Sequence, residues 1–204
     1  MSRTLMMAVG GASSSLQDRK DTIWEVCSRA AFYSKRKDLI YKEVNSAGPS
    51  LKQIEHDIRY YLEFDVYGSS LIYIGKSWGV YEGTKVLNKL TKDKTIHFRS
   101  LTCIFLDGHG PWWNLAWGRK GKETIPDAWR ALADEAKFIS ISQFNRKPMG
   151  TMFHNADDVH DLTGVYLTVP DANGGTKREL ADHFNCTYYE GFHRAVETAI
   201  QRTA

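Results

Sequence analysis

Three short apolar runs constrain the fold of this chain most, because none of them alternates with polar residues. They are Leu5–Val9, Leu71–Ile74 and Leu101–Leu106. A strand with one face in water alternates apolar and polar residues, whereas a strand covered on both faces is continuously apolar. The runs therefore predict strands of a parallel sheet with helices packed on both of its faces.

Apolar residues at helical spacing fill the segments between these strands. Four helices are predicted in these segments, one of them over residues 78–90. The other three each have an apolar stripe, formed by Ile23, Val26, Cys27, Ala30 and Tyr33 in the first, by Leu51, Ile54, Ile58, Tyr61 and Leu62 in the second, and by Tyr188, Phe192, Val196 and Ile200 in the last. Further strands are predicted at Leu39–Val44, Phe138–Ile141 and Val165–Val169, and a further helix around Ala128–Glu135. This alternation predicts an α/β fold, a three-layer α/β/α sandwich around a mostly parallel central sheet.

A length of 204 residues suits one domain, over residues 1–204. Apolar residues make up 42% of the chain and charged residues 25%, which is typical of a globular protein and excludes a disordered chain. Residues 109–136 interrupt the strand–helix rhythm with Trp112, Trp113 and Trp117. We interpret them as a short aromatic-rich insertion over one end of the sheet, with no large lid.

Charge and cysteine usage limit the partners and the compartment. The formal charge of +3 is small and spread out, so no nucleic-acid partner is expected. No run of eighteen apolar residues exists, so no transmembrane segment is expected. Cys27, Cys103 and Cys186 lack metal-ligand spacing and are predicted to be buried free thiols in the cytoplasm. A secreted protein with one disulfide stays open, as does the oligomeric state, and no cofactor or metal is expected.

The segment Gly75-Lys76-Ser77-Trp78-Gly79 has two interpretations. Gly75-Lys76-Ser77 is similar to the end of a phosphate-binding loop, but that pattern needs a glycine at position 70, where Ser70 stands. Bulky Leu71–Ile74 would also prevent the backbone from wrapping a phosphate. A nucleotide-binding protein is therefore the least favoured function.

The same segment also fits the Gly-x-Ser-x-Gly pattern of a nucleophilic serine. That motif puts the serine on a tight, strained turn between a strand and a helix, where only small neighbours fit. Gly75 and Gly79 flank Ser77, a strand is predicted before it and a helix after it. Ser77 is therefore the candidate nucleophile, with a tight turn in which it only caps the helix as the alternative.

A nucleophilic serine needs a histidine base and an acid that orients the base. Asp107 directly follows the strand Leu101–Leu106, at the sheet edge where sites assemble, and is the candidate acid. Three rivals lie in one later loop: Asp157, Asp158 and Asp161. His183, just before the last helix, is the candidate base. The other histidines considered are His109, His154, His160 and His193.

An oxyanion hole needs two backbone N–H donors. The first is expected from Trp78, the residue after the nucleophile. The second is expected from the glycine-containing loop after the first strand, at Ala12 or Gly11.

With these residues assigned, the chain resembles the α/β-hydrolase superfamily, in a small serine esterase or lipase-like form. The resemblance rests on the stretches "AVGGASSS", "IGKSWGVYEG", "CIFLDGHG" and "ADHFNCTYYEGFHRAV". An acid placed as Asp107 is similar to the arrangement in some lipases, whereas many members carry it one strand later, which would favour Asp157, Asp158 or Asp161. The early loop lacks the His-Gly pair of many members.

The resemblance implies a serine hydrolase that cleaves carboxylic esters of small molecules or lipids through an acyl-serine intermediate. Trp112 and Trp113 are candidates to cover an acyl chain, or else pack the insertion onto the sheet. Lys76, beside the nucleophile, is a candidate to favour anionic substrates, or else a solvated side chain. The alternative function is a binding protein that keeps this fold without catalysis.

Overall fold

The structure is a computed structural model that describes residues 3–11, 23–45, 50–62, 68–108, 121–146 and 150–203. Its elements in chain order are β1 (Thr4–Gly10), α1 (Ile23–Ser34), β2 (Leu39–Asn45), α2 (Ser50–Leu62), β3 (Ser70–Lys76), α3 (Trp78–Leu90), β4 (Phe98–Leu106), β5 (Gly121–Glu123), α4 (Asp127–Arg130), β6 (Ala133–Ser142), β7 (Thr151–Phe153), β8 (Asp158–Asp161), β9 (Tyr166–Pro170), β10 (Thr176–Leu180), a 3-10 helix (Cys186–Tyr188) and α5 (Glu190–Arg202).

Six strands form a central sheet in the order β2-β1-β3-β4-β6-β8, and every neighbouring pair in it is parallel. Two small sheets lie outside it: the antiparallel pair β9 and β10, and the parallel pair β5 and β7. None of the helices within the described ranges is long and apolar enough to cross a membrane.

The sheet has a hydrophobic core on each face, because successive residues of a strand point to opposite sides. Leu5 and Met7 of β1 join one core, where α2, α3 and α4 contribute Ile58, Val86 and Trp129 among others. Met6 and Ala8 join the other core, where α1 and α5 contribute Trp24 and Phe192. The described chain is thus a three-layer α/β/α sandwich, and the predicted fold class is confirmed.

One predicted helix is largely wrong. The expected helix around Ala128–Glu135 is only the single turn α4, which ends at Arg130. Residues 133–135 instead begin β6, where Ala133 pairs with Phe98 and Glu135 with Ser100 of β4. Pairing with a buried neighbouring strand overrides the helix preference of this Ala- and Glu-containing segment. The strand predicted at Val165–Val169 is β9, and the neighbouring strands β7, β8 and β10 were not predicted.

The carboxyl ends of four central strands lie at one edge of the sheet, and three of the residues predicted for the site follow them there. Val9 pairs with Gly75, Lys76 with Leu106, and Leu106 with Ile141. The residues that follow at this edge are Gly11, Ser77, Asp107 and Gln143. In parallel α/β sheets this edge is where ligands bind.

Candidate active site

Ser77 occupies the turn between β3 and α3 with φ 58° and ψ −124°. This is the conformation of the first central position of a type II′ turn, which glycine dominates. The Ser77 amide donates to the Leu106 carbonyl at 3.1 Å, and its carbonyl accepts from the Val80 amide at 3.1 Å. A non-glycine residue held here stores roughly 1–3 kcal/mol of backbone strain.

Glycines make this turn possible through close backbone approach. A Cβ at Gly79 would lie 2.1 Å from the Val9 carbonyl oxygen, so only glycine lets α3 pack this closely on β1. A Cβ at Gly75 would lie 2.9 Å from the Gly79 backbone. The two glycines of the Gly-x-Ser-x-Gly pattern are therefore explained by sterics.

Gly11 lies directly beside the candidate nucleophile. A Cβ at this position would lie 2.8 Å from Ser77 Cβ and 3.0 Å from Ser77 Oγ. The loop after β1 therefore begins against the serine side chain. Ala12, the other candidate for the second oxyanion donor, lies outside the described residues.

Gly75 and Lys76 belong to strand β3 and not to a loop. Gly75 pairs with Phe105 and Lys76 with Leu106, while Leu71–Ile74 before them are fully buried. A phosphate-binding loop needs consecutive amides turned toward the ligand, whereas these take part in the sheet. The geometry therefore does not favour a nucleotide site at this segment.

Asp107 and His183 form a buried hydrogen-bonded pair. His183 Nδ1 lies 2.7 Å from Asp107 Oδ2, with the carboxylate fully buried and the imidazole nearly so. An ionised carboxylate only accepts hydrogen bonds, so Nδ1 carries the proton and Nε2 of the neutral ring is an acceptor. This is the orientation that a histidine base requires.

Asp107 is held in place on several sides. Its backbone has φ 44°, and its amide donates to the Ile141 carbonyl at 2.7 Å. Oδ1 accepts from the Gln143 amide at 3.2 Å, and Oδ2 accepts from Gln143 Nε2 at 3.4 Å. A Cβ at Gly150 would lie 2.0 Å from Oδ1, so glycine is needed there.

The rival acids are engaged elsewhere. Asp157 pairs with Arg130 at 2.9 Å and accepts from the Phe138 amide at 2.7 Å. Asp158 pairs with Lys137 at 2.8 Å. Asp161 accepts from the Thr163 amide at 2.9 Å. The geometry favours Asp107 over all three as the partner of a histidine.

Two of the other histidines contact groups outside this pair. His160 Nδ1 lies 3.1 Å from the Tyr189 hydroxyl. His193 Nε2 lies 2.8 Å from the Thr187 carbonyl oxygen. His154 follows β7, and its amide donates to the Glu123 carbonyl at 3.2 Å. His109 lies outside the described residues.

The loop that carries His183 is tied to the serine turn. Lys76 Nζ donates to the Phe184 carbonyl at 3.4 Å, and Cys186 Sγ donates to the His183 carbonyl at 3.4 Å.

Burial raises the pKa of the Cys186 thiol to about 12, against the opposing effect of the Lys76 cation. The thiol is therefore an inert packing group at neutral pH.

Of the tryptophans predicted to lie near the site, Trp78 is within the described residues. Trp78 begins α3, its Nε1 donates to Glu82 at 3.0 Å, and its ring lies 4.8 Å from that of Tyr81. Trp112, Trp113 and Trp117 lie outside the described residues. Among the residues that are described, no three His, Cys, Asp or Glu side chains are arranged to hold a metal ion.

No protein-family model matches this chain, and no curated protein or solved structure is significantly similar to it.

Sequence reasoning did not identify Gln143 and Gly150, which surround the Asp107 carboxylate. Gln143 directly follows β6, so its place after a buried strand was the available signal.

Proposed function

We propose that this protein is a serine hydrolase that cleaves carboxylic esters through an acyl-serine intermediate. The observation that carries the proposal is the buried pair of Asp107 and His183, at the same sheet edge as a strained Ser77. Ser77 and Asp107 follow paired residues of adjacent strands, which sets them at the same level of the sheet. A nucleophile, a base and an orienting acid are the three groups that this chemistry needs.

In the first step Ser77 Oγ attacks the ester carbonyl carbon, and Nε2 of His183 takes the hydroxyl proton. Asp107 holds the ring through Nδ1 and stabilises the imidazolium that forms. When the tetrahedral intermediate collapses, the bond to the alcohol oxygen breaks, and Nε2 returns its proton to the leaving alkoxide. The products are a free alcohol and an acyl group on Ser77.

The negative oxygen of the tetrahedral intermediate needs hydrogen-bond donors that are already in place. The Trp78 amide is suited to this, because the first amides of a helix point out of its N-terminal end. Gly11 beside Ser77 supports a second donor from the loop after β1, at Gly11 or Ala12. Both donors are backbone groups, so side-chain substitution alone does not remove them.

In the second step water attacks the acyl carbon while His183 accepts one of its protons. The imidazolium then protonates Ser77 Oγ as the acyl–oxygen bond breaks. The carboxylic acid leaves, and the hydroxyl and the neutral imidazole are restored. Each cycle consumes one ester and one water and releases an alcohol and a carboxylic acid, so it needs no further reactant.

Lys76 gives the site a cation next to the nucleophile. Its ammonium group lies on the His183 side of the turn, where it bonds the Phe184 carbonyl. The charge would favour esters with an anionic group near the acyl carbon. Phe184 is exposed and offers an apolar ring next to His183.

Hydrolysis of 4-nitrophenyl esters of increasing acyl length tests the proposed activity. The wild type is expected to release 4-nitrophenolate with saturation kinetics. Ser77→Ala is expected to release it no faster than the same amount of denatured protein does. Ser69→Ala, which changes a buried hydroxyl away from this edge, is the matched control and should keep its activity. Equal rates for wild type and Ser77→Ala would instead support a binding protein with this fold.

A further inference from the structure

We propose that Gln143 is a positioning residue, which holds the Asp107 carboxylate turned toward His183. This inference rests on the proposed function, because the pair it serves acts on Ser77. Gln143 is fully buried immediately after β6 and contacts both oxygens of the Asp107 carboxylate. Its side chain is a neutral amide, so the amino-acid sequence alone gives no sign of a role in the site.

The contacts of Gln143 fix which way its amide faces. Its Oε1 accepts from the amides of Asn145 at 2.9 Å and Arg146 at 3.1 Å. Its Nε2 donates to the Arg146 carbonyl at 3.1 Å and to Asp107 Oδ2 at 3.4 Å. Turning the amide over would set the oxygen against two acceptors and the nitrogen against two donors. The side chain can therefore only donate toward Asp107.

This polarity has a chemical consequence for the carboxylate. Hydrogen bonds to the ionised form of a carboxyl group stabilise that form. Asp107 is fully buried and loses its hydration, so the two Gln143 donors replace water. They also leave Oδ2 aligned with Nδ1 of His183, which accounts for the 2.7 Å contact.

Several titratable groups face this position. Asp107 approaches Gln143 from the end of β4, and His183 approaches Asp107 from the loop before the 3-10 helix. Arg146 contacts Gln143 through its backbone. Lys76, at the end of β3, and Asp107 both act electrostatically on Cys186. A charge introduced at position 143 would therefore interact most strongly with the Asp107 carboxylate.

The substitution Gln143→Glu tests the role, because it keeps the shape and removes the donor. One oxygen of the introduced carboxyl group would still accept from Asn145 and Arg146, whereas the other would face Asp107 Oδ2 and the Arg146 carbonyl. That second oxygen must carry a proton, and the neighbouring carboxylate raises the pKa of the introduced group. Loss of the proton at higher pH sets two carboxylates against each other.

The readout is the rate at which a fluorophosphonate labels Ser77, followed from about pH 5 to about pH 9. In this reaction Oγ bonds to phosphorus, fluoride leaves, and His183 takes the hydroxyl proton. The wild-type rate is expected to rise with pH and level off. Gln143→Glu is expected to label at the acid end and to lose about tenfold or more as pH rises. A purely structural role would lower the rate by the same factor at every pH.

Gln53→Glu is the matched control, because Gln53 Nε2 donates to Asp57 at 2.8 Å on α2, away from this edge. Its pH profile should coincide with that of the wild type. If Gln143→Glu does not fold, Gln143→Met is the second test variant, because methionine has a similar length and no hydrogen-bond donor. It is expected to label more slowly and to shift the downfield proton NMR resonance of His183 Nδ1–H.

Profiles of Gln143→Glu and wild type that run parallel would overturn the role of Gln143 and leave the proposed function standing. A Gln143→Met protein with an unchanged labelling rate and resonance would overturn it as well. A folded wild type that is not labelled at any pH would overturn the proposed function and, with it, the positioning role of Gln143.

Discussion

His183 Nδ1 and Asp107 Oδ2 lie 2.7 Å apart, although the two residues are 76 positions apart in the chain. The contact joins the carboxyl end of β4 to the loop before the last helices, and it is buried from water. A buried, ordered acid–histidine pair at the ligand-binding edge of a parallel sheet is a feature of catalytic sites. This pair and the strained serine turn beside it can both be tested by substitution.

Replacing Asp107 with asparagine is expected to lower the fluorophosphonate labelling rate by about 10⁴-fold, as when the orienting aspartate of a triad is changed this way. An asparagine side chain can donate to Nδ1, which moves the ring proton to Nε2 and removes the base. The measurement is the second-order labelling rate, with circular dichroism to verify folding.

Asp157→Asn is the matched control, because Asp157 was a rival acid on sequence grounds and instead binds Arg130 and the Phe138 amide. We expect it to lose about 1–3 kcal/mol of unfolding free energy and to keep its labelling rate. Normal labelling of Asp107→Asn with loss in Asp157→Asn would contradict the acid assignment.

Backbone strain at Ser77 predicts an inverted order of stability between the variants Ser77→Gly and Ser77→Ala. Replacing alanine by glycine ordinarily lowers stability by about 0.4–1 kcal/mol, because glycine gains freedom in the unfolded chain. At φ 58° and ψ −124° glycine instead avoids strain of about 1–3 kcal/mol. Ser77→Gly should therefore unfold at higher urea concentration than Ser77→Ala. The ordinary order would show that the turn is unstrained.

The close packing of α3 on β1 predicts a large effect of one methyl group. Gly79→Ala would set a Cβ 2.1 Å from the Val9 carbonyl oxygen and should cost about 3 kcal/mol or more of unfolding free energy. Gly174→Ala, where a Cβ meets nothing within 4 Å, is the control and should cost about 1 kcal/mol from its positive φ. Urea denaturation measures both, and equal costs would contradict the packing account.

Buried cysteines predict resistance to alkylation. Burial raises the pKa of Cys186 to about 12, and it raises the pKa values of Cys27 and Cys103 further. At about pH 8 all three thiols are protonated, so native protein should not react with iodoacetamide or lose serine reactivity. Intact mass spectrometry provides the measurement. Rapid alkylation that abolishes labelling would show that a cysteine belongs to the reactive site.

The sequence alone predicted the sheet, its parallel strands and most of the helices. Continuous apolar runs identify buried strands well, because few other structures tolerate them. The start of β6 could not be predicted, since Ala133–Glu135 prefer a helix and become a strand only by pairing with β4. β8 was also missed, because Asp158–Asp161 form a short, charged edge strand without an apolar pattern.

The spacing of glycines around Ser77 predicted the strained turn, because few residues fit there. The proximity of Asp107 and His183 was predicted from chain order, and the structure brings these two together. Gln143 was not predicted, because a neutral amide acts only through its neighbours and these depend on tertiary packing. The same applies to Gly150, whose contact with Asp107 spans two loops.

The most direct test of the proposed function is intact mass spectrometry of the protein after treatment with a fluorophosphonate. The wild type should gain the mass of one phosphonyl group at Ser77, and Ser77→Ala and His183→Ala should gain none. Peptide mapping would identify the labelled serine. An unlabelled but folded wild type, or equal labelling of wild type and Ser77→Ala, would contradict the proposal that Ser77 is an activated nucleophile.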